Sequence, residues 1–172
     1  MMAEETAEPI VTMAEAQAYA RIESGEEEGL LAGLVRSASG LCEAFLGQVV
    51  IARPFNERVQ AGGNWQRLRV APVRSIEAVT ADGVAFPATA YATDIDSSGC
   101  GWVRLTNTGI SGVVEVSGTA GIATGQNGVP EPIRQGVLRL VAHLFSSRDG
   151  QGGEVPAAVT ALWRPYRRMR LV

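Results

Sequence analysis

The strongest periodic signal in the chain is Leu30, Leu31, Leu34, Val35, Ala38, Leu41, Cys42, Phe45 and Leu46, apolar positions that recur at steps of three and four. That spacing predicts an amphipathic helix over 26–46. Glu26, Glu27 and Glu28 fall in its first turn, where negative charge suits the helix dipole, and Gly47 is its stop signal. Upstream, Thr12-Met13-Ala14-Glu15 reads as a capping box opening a short helix over 13–20, and Ser24-Gly25-Glu26-Glu27 repeats the signature. Downstream, Ile133, Val137, Leu140, Val141, Leu144 and Phe145 mark a third apolar stripe, over 132–147, entered through Pro130-Glu131-Pro132. The Asp149-Gly150-Gln151-Gly152-Gly153 cluster breaks it, and a fourth short helix is expected over 157–163.

From Val49 the pattern changes. Val49–Ile51, Arg67–Val70, Ile76–Val79, Trp102–Leu105 and Val113–Val116 are short β-like runs, punctuated by glycine and proline, and Asp82-Gly83 is a strong hairpin signal. The helices near 26–46 and 132–147 are too short and too one-sided to stand alone in water, so they should pack together. The fold class expected is therefore α+β: a small helical-bundle core from 11–48 and 129–162, with an inserted antiparallel β lobe over 49–128. A flexible acidic tail (1–10) and an arginine-rich C-terminal tail (163–172) complete the expected layout.

Composition narrows this picture. With 46% hydrophobic and 19% charged residues in 172, the chain is globular in type. No apolar run approaches the roughly 20 residues of a membrane span, and the acidic start does not resemble a secretory signal, so no membrane partner is expected. Cys42 and Cys100 have no metal-like spacing and are expected to be free thiols. The net charge of −3 hides an asymmetry: nine glutamates against Arg21 and Arg36 in residues 1–46, and seven arginines against Glu131, Asp149 and Glu154 in residues 130–172. The chain has no lysine, which codon bias explains without a functional cause. An acidic and a basic face on one subunit can pair head to tail with further copies, which is how heterologous contacts close into rings. Glu26, Glu27 and Glu28 on one side and Arg134 and Arg139 on the other are the candidate subunit–subunit residues.

Candidate chemistry is sparse. His143, the single histidine, sits beside the Leu140/Leu144 stripe and reads as a packed residue rather than a general base. Asp94 and Asp96 offer two carboxylates where calcium needs six or more oxygen ligands. The glycine-rich stretches Gly118–Gly121 and Gly125–Gly128 lack the P-loop pattern and its lysine, and read as loops. No catalytic residue, cofactor or metal site is expected, and no enzymatic activity. The C-terminal segment is more informative: Trp163, Tyr166, Met169 and Leu171 interleave with Arg164, Arg167, Arg168 and Arg170, residue types enriched in protein interfaces. A protein partner, a fold-back onto the chain's own helices and phosphate binding all fit this pattern, although an overall pI near 5.2 speaks against the last.

Four pieces, taken in order, carry a resemblance to a known family. They are Val11–Ala16; Leu30–Ala38 continuing to Glu43–Gly47; Ala71-Pro72-Val73-Arg74-Ser75-Ile76; and Val129–Gly136 running through His143-Leu144-Phe145, Arg148 and Val155-Pro156 to Leu162–Arg167. Together they resemble the head–tail connector (adaptor) proteins of long-tailed double-stranded DNA phages and of phage-derived gene transfer agents. The resemblance covers most of the chain beyond the acidic tail. It implies a non-enzymatic structural subunit of a dodecameric ring in the neck of a phage-like particle, assembled in the host cytoplasm. Such a ring lies between the portal protein and a tail-side connector or terminator protein and extends a channel through which DNA passes without specific binding. The resemblance also implies that the C-terminal segment engages the portal, through Trp163, Arg164, Tyr166, Arg167, Arg168, Met169, Arg170, Leu171 and Val172. A tail-completion or tail-terminator protein is the alternative structural reading, and a small cytoplasmic enzyme a more distant one.

Overall fold

The computed structural model of the chain describes residues 7–22, 27–106, 109, 111–147 and 154–168. The chain forms two compact units: a helical unit from Met1–Ile51 and Ala123–Val172, and a β unit from Ala52–Ile122. The α+β class holds, with four α-helices and two antiparallel sheets among the described residues. The β unit is narrower than the 49–128 expected from sequence. Val49–Ile51 is not a strand: Val50 and Ile51 are buried in the helical unit, with one parallel bridge from Ile51 to Ala123.

In the helical unit, α1 (Met13–Ala20), α2 (Glu28–Leu46), α3 (Glu131–Ser146) and α4 (Ala157–Trp163) lie close to the sequence expectation. The α1 capping box is present. Glu15 N donates to Thr12 Oγ1 at 3.2 Å and Thr12 N to Glu15 Oε2 at 2.8 Å, so two otherwise orphaned backbone donors are satisfied. The second capping signature, Ser24 to Glu26, falls outside the described residues; α2 begins at Glu28 with Glu27 as its N-cap. Gly47 ends α2 at φ 65°, a left-handed conformation open to glycine at little cost, and its N–H reaches Glu43 O. Beyond it the Glu43 carboxylate accepts Val50 N at 2.8 Å and so fixes the exit of the chain from the helix.

α3 packs against α1, α2 and α4 and is the hub of this unit. By length and composition α2 could cross a membrane, with a mean hydropathy of 1.3 over 18 residues, against the expectation that no run comes near that length. It is nevertheless amphipathic in place: Leu31, Val35, Ala38, Cys42 and Leu46 are buried on one face. Cys42 is a free thiol, and burial, reinforced by the adjacent Glu43 charge, pushes its pKa far above the ordinary thiol value. The acidic tail is shorter than expected. Ile10 is buried, its N–H donating to Ser39 Oγ at 3.1 Å, and Pro9 O accepts Gln126 Nε2 at 2.7 Å, so these two residues belong to the helical unit.

The β unit pairs β1 (Arg53–Gln60), β7 (Val113–Ala120), β3 (Val73–Ala81) and β4 (Val84–Ala85) in the order β1-β7-β3-β4, and β2 (Gln66–Arg67), β6 (Gly101–Leu105) and β5 (Tyr91–Ile95) in the order β2-β6-β5. Its core comprises Leu68, Val73, Val79, Val103, Leu105, Val114 and Val116, with Phe55 and Val59 packed against it. The predicted hairpin is present: Asp82 and Gly83 take φ of 50° and 79° between β3 and β4. Gly118 and Thr119, read from sequence as loop, lie inside β7. Gly118 is required there. β3 shifts register beside it, and a Cβ at Gly118 would stand 2.1 Å from Ser75 O.

Candidate interaction surface

The end of the chain was expected to be a free tail. Instead its described part, 163–168, is built into the helical unit. α4 delivers Trp163 to full burial, where indole Nε1 donates to Ile133 O at 3.2 Å. The ring lies over Gly136, where a Cβ would come within 2.1 Å of Nε1, and packs at 5.8 Å from the Phe45 ring. Trp163 is therefore a core residue and leaves the set expected to touch a partner. A large amphipathic ring with a satisfied N–H is more stable in a shaped slot than in water.

The segment then folds back along the C-terminal end of α2. Gln48 Nε2 donates to Tyr166 O at 2.6 Å, and Arg168 N donates to Leu46 O at 2.8 Å, satisfying a carbonyl that the helix end leaves open. The Arg167 guanidinium sits 5.2 Å from the Phe45 ring centroid, so Arg167, Phe45 and Trp163 form a short stack. Arg164, Pro165 and Arg167 are exposed, whereas Tyr166 and Arg168 are half-buried. The expected contact residues Met169, Arg170, Leu171 and Val172 lie outside the described residues. Of the three readings open at the sequence level, fold-back describes residues 163–168, and it leaves a cationic patch, Arg164 and Arg167, facing solvent.

The charge-based subunit contacts also need revision. Arg134 is spent within the subunit: its Nη2 pairs with Glu15 Oε1, Nη1 reaches Gln126 O at 3.5 Å, and Nε lies 3.9 Å from Glu131. It ties α1, the turn before α3 and α3 together and is half-buried. Arg139 and Glu28 are exposed, Glu27 is half-buried, and Glu26 lies outside the described residues.

The candidate chemical groups are structural. Asp96 Oδ1 accepts Ser98 Oγ at 2.6 Å, Ser98 N at 2.9 Å and Cys100 N at 2.9 Å, while Oδ2 accepts Trp102 Nε1 at 3.3 Å. The hydrogen bonds from Ser98 and then Cys100 hold its carboxyl well below the usual carboxylate range. Asp94 is exposed, and among the described residues no cluster of three or more His, Cys, Asp or Glu could hold a metal ion. His143 is half-buried on α3. A shallow hollow of about 160 Å³ bordered by Val59, Gln66, Arg104 and Val114 is smaller than the roughly 300–1,000 Å³ of ligand pockets.

The depressed Asp96 carboxyl gives a pH prediction. Its stabilising contribution is complete above the unfolded-state value near 4 and is lost as pH falls below that toward the folded-state value. Acid unfolding of the β unit should accordingly show less loss of stability between pH 5 and 2 in Asp96→Asn than in wild type, from a lower starting point at pH 7. Parallel stability–pH curves for the two proteins would remove Asp96 from this role.

No protein-family model matches the chain, and no curated protein matches it. Solved structures do. A chain in the neck of an empty gene transfer agent particle, computed with C6 symmetry, superimposes with a TM-score of 0.76 at 27% identity over 95% of this chain and 92% of that one. The fold is that of a gene transfer agent neck protein. A chain in the virion of the native particle gives a TM-score of 0.77 at 24% identity over 100% and 98% of the two chains. One in the neck of the native particle, computed with C12 symmetry, gives 0.67 at 22% over 96% of each. These neighbours belong to the neck and virion of a gene transfer agent particle, and the likeness runs through both units. The resemblance read from the four sequence pieces and the fold point to the same kind of protein.

Proposed function

We propose that the chain is a head–tail connector subunit, located in the neck of a phage-like particle, where copies form a ring between the portal and the tail. The observation that carries this reading is the near full-length match to a neck chain at 27% identity. The C6 and C12 symmetries of the neighbouring necks support a closed ring, with a dodecamer as the expected number. In this reading the subunit performs no catalysis: it positions the portal on one side and a tail-side connector or terminator on the other, and extends the DNA channel. In the same reading DNA passes through the channel without specific binding.

The portal contact falls to the exposed Arg164 and Arg167 together with residues 169–172, because Trp163 is occupied in the core. Deleting 169–172, or making Arg164→Glu with Arg167→Glu, should leave the helical unit folded by circular dichroism, since a surface cation–π contact contributes only about 0.5–1 kcal/mol. Heads purified from particle-producing cells should then carry no connector. Full occupancy of the chain on heads bearing either variant would overturn the portal assignment.

A further inference from the structure

The outward face of α2 is unlike that of a solvated helix. Leu30, Leu34 and Leu41 lie along it, interleaved with the small residues Gly33, Ser37, Gly40 and Ala44. These positions repeat at three, four and seven residues, as 30/37/44, 33/40 and 34/41, the period of a helix-packing seam. At 100° per residue they occupy one stripe about 120° wide, opposite the buried Leu31/Val35/Cys42 face. No charge falls within the stripe; Arg36 borders it. Leu30 and Leu41 remain 43% and 42% exposed, and a Cβ added at Gly33 or Gly40 would meet nothing within 4 Å. Only 28% of the most apolar 18-residue stretch of α2 is buried within the chain. An ordinary surface helix places charged and polar residues on such a face.

We infer that this stripe is a subunit–subunit surface, covered in the assembled ring by a neighbouring copy of this chain. The inference rests on the ring reading above and deepens it by naming the face. A second copy is the occupant because similar chains sit in necks of C6 and C12 symmetry, where every subunit is flanked by others. A cyclic ring uses heterologous contacts, so one face of each copy must be covered by a different face of the next. The leucines supply the apolar area, and the glycines allow the neighbouring backbone to approach closely. This replaces Arg134 and its charge partners as the principal ring contact: the Arg134 guanidinium is held by Glu15 and Gln126 within the subunit, whereas the α2 stripe is apolar and continuous, with Leu30 and Leu41 exposed.

Leu30→Glu with Leu41→Glu tests the inference. Both side chains are half exposed, so the monomer should keep its helical signal and melting temperature, which circular dichroism checks first. Self-association is then compared by sedimentation velocity from micromolar to millimolar concentration, and the same two proteins are compared for occupancy on portal-bearing heads. The variant is expected to associate at least about tenfold more weakly, from the lost burial of two leucines and the insertion of charge, and to be missing from heads. A variant that associates and occupies heads like wild type overturns the inference while leaving the connector reading intact. A wild type that neither self-associates nor occupies heads overturns both.

Discussion

Trp163→Ala is expected to destabilise the helical unit by about 3–5 kcal/mol, the range for removing a large aromatic side chain from a core. The indole is wholly buried, its N–H is bonded to Ile133 O, and it spans the space between Gly136 and Phe45. Truncation leaves a cavity where α2, α3 and α4 meet, forfeits the indole hydrogen bond and removes the ring packed against Phe45. Urea unfolding followed by ellipticity at 222 nm measures the loss. Gly136→Ala should act on the same contact from the other side, because its Cβ would overlap the indole ring. The two substitutions should be strongly non-additive, since either one dismantles the same fit. A cost below about 1 kcal/mol for Trp163→Ala would return the residue to the exposed, partner-seeking role that the sequence alone suggests.

α2 and α3 were legible because each buries one stripe at helical period, and α1 because its capping box is written in four consecutive residues, all local properties of the chain. Trp163 was misassigned because its role depends on a partner thirty residues away. In isolation, Trp-Arg-Pro-Tyr-Arg-Arg alternates aromatic and cationic residues as an interface does. The overlooked signal was Gly136, a glycine in the middle of an otherwise apolar helical stripe, where such a residue often admits a bulky neighbour. Strand β1 was missed for a related reason. Its inward positions are Arg53, Phe55, Glu57 and Val59, so burial alternates while hydrophobicity does not. Glu57 is charged at such a position because it accepts the backbone N–H groups of Arg69 and Val70 at 2.8–3.0 Å, a loop contact that strand periodicity does not encode. The charge split suggested self-association at the level of the chain. It could not reveal that Arg134 is consumed by Glu15, nor that the apolar stripe with the best claim to a neighbour lies on the same helix as the core stripe.

Gly118→Val is expected to be the most damaging single change in the β unit, for a reason that lies in the backbone rather than in the core. β7 is the strand that holds the larger sheet together, pairing with β1 on one side and β3 on the other. Opposite Gly118, β3 changes register twice, between Val73 and Ser75 and between Ile76 and Ala78, so extra backbone is accommodated next to it. The Ser75 carbonyl consequently approaches to where a Cβ would stand at 2.1 Å, and Phe55 on β1 closes the other side at 3.0 Å. A flexible side chain could rotate aside from such a clash. A carbonyl held in a ladder cannot move without breaking the pairing on which the β3–β7 contact depends. Alanine alone should therefore cost several kcal/mol, and valine should cost more despite the higher β propensity of that residue. Thermal unfolding followed by the fluorescence of Trp65 and Trp102, both in this unit, should show the transition lowered or lost, while the helical signal at 222 nm from the other unit persists. Retention of a wild-type transition by Gly118→Ala would mean that β3 can re-register without penalty. The bulge would then be a tolerance of the sheet rather than a requirement that glycine alone can meet.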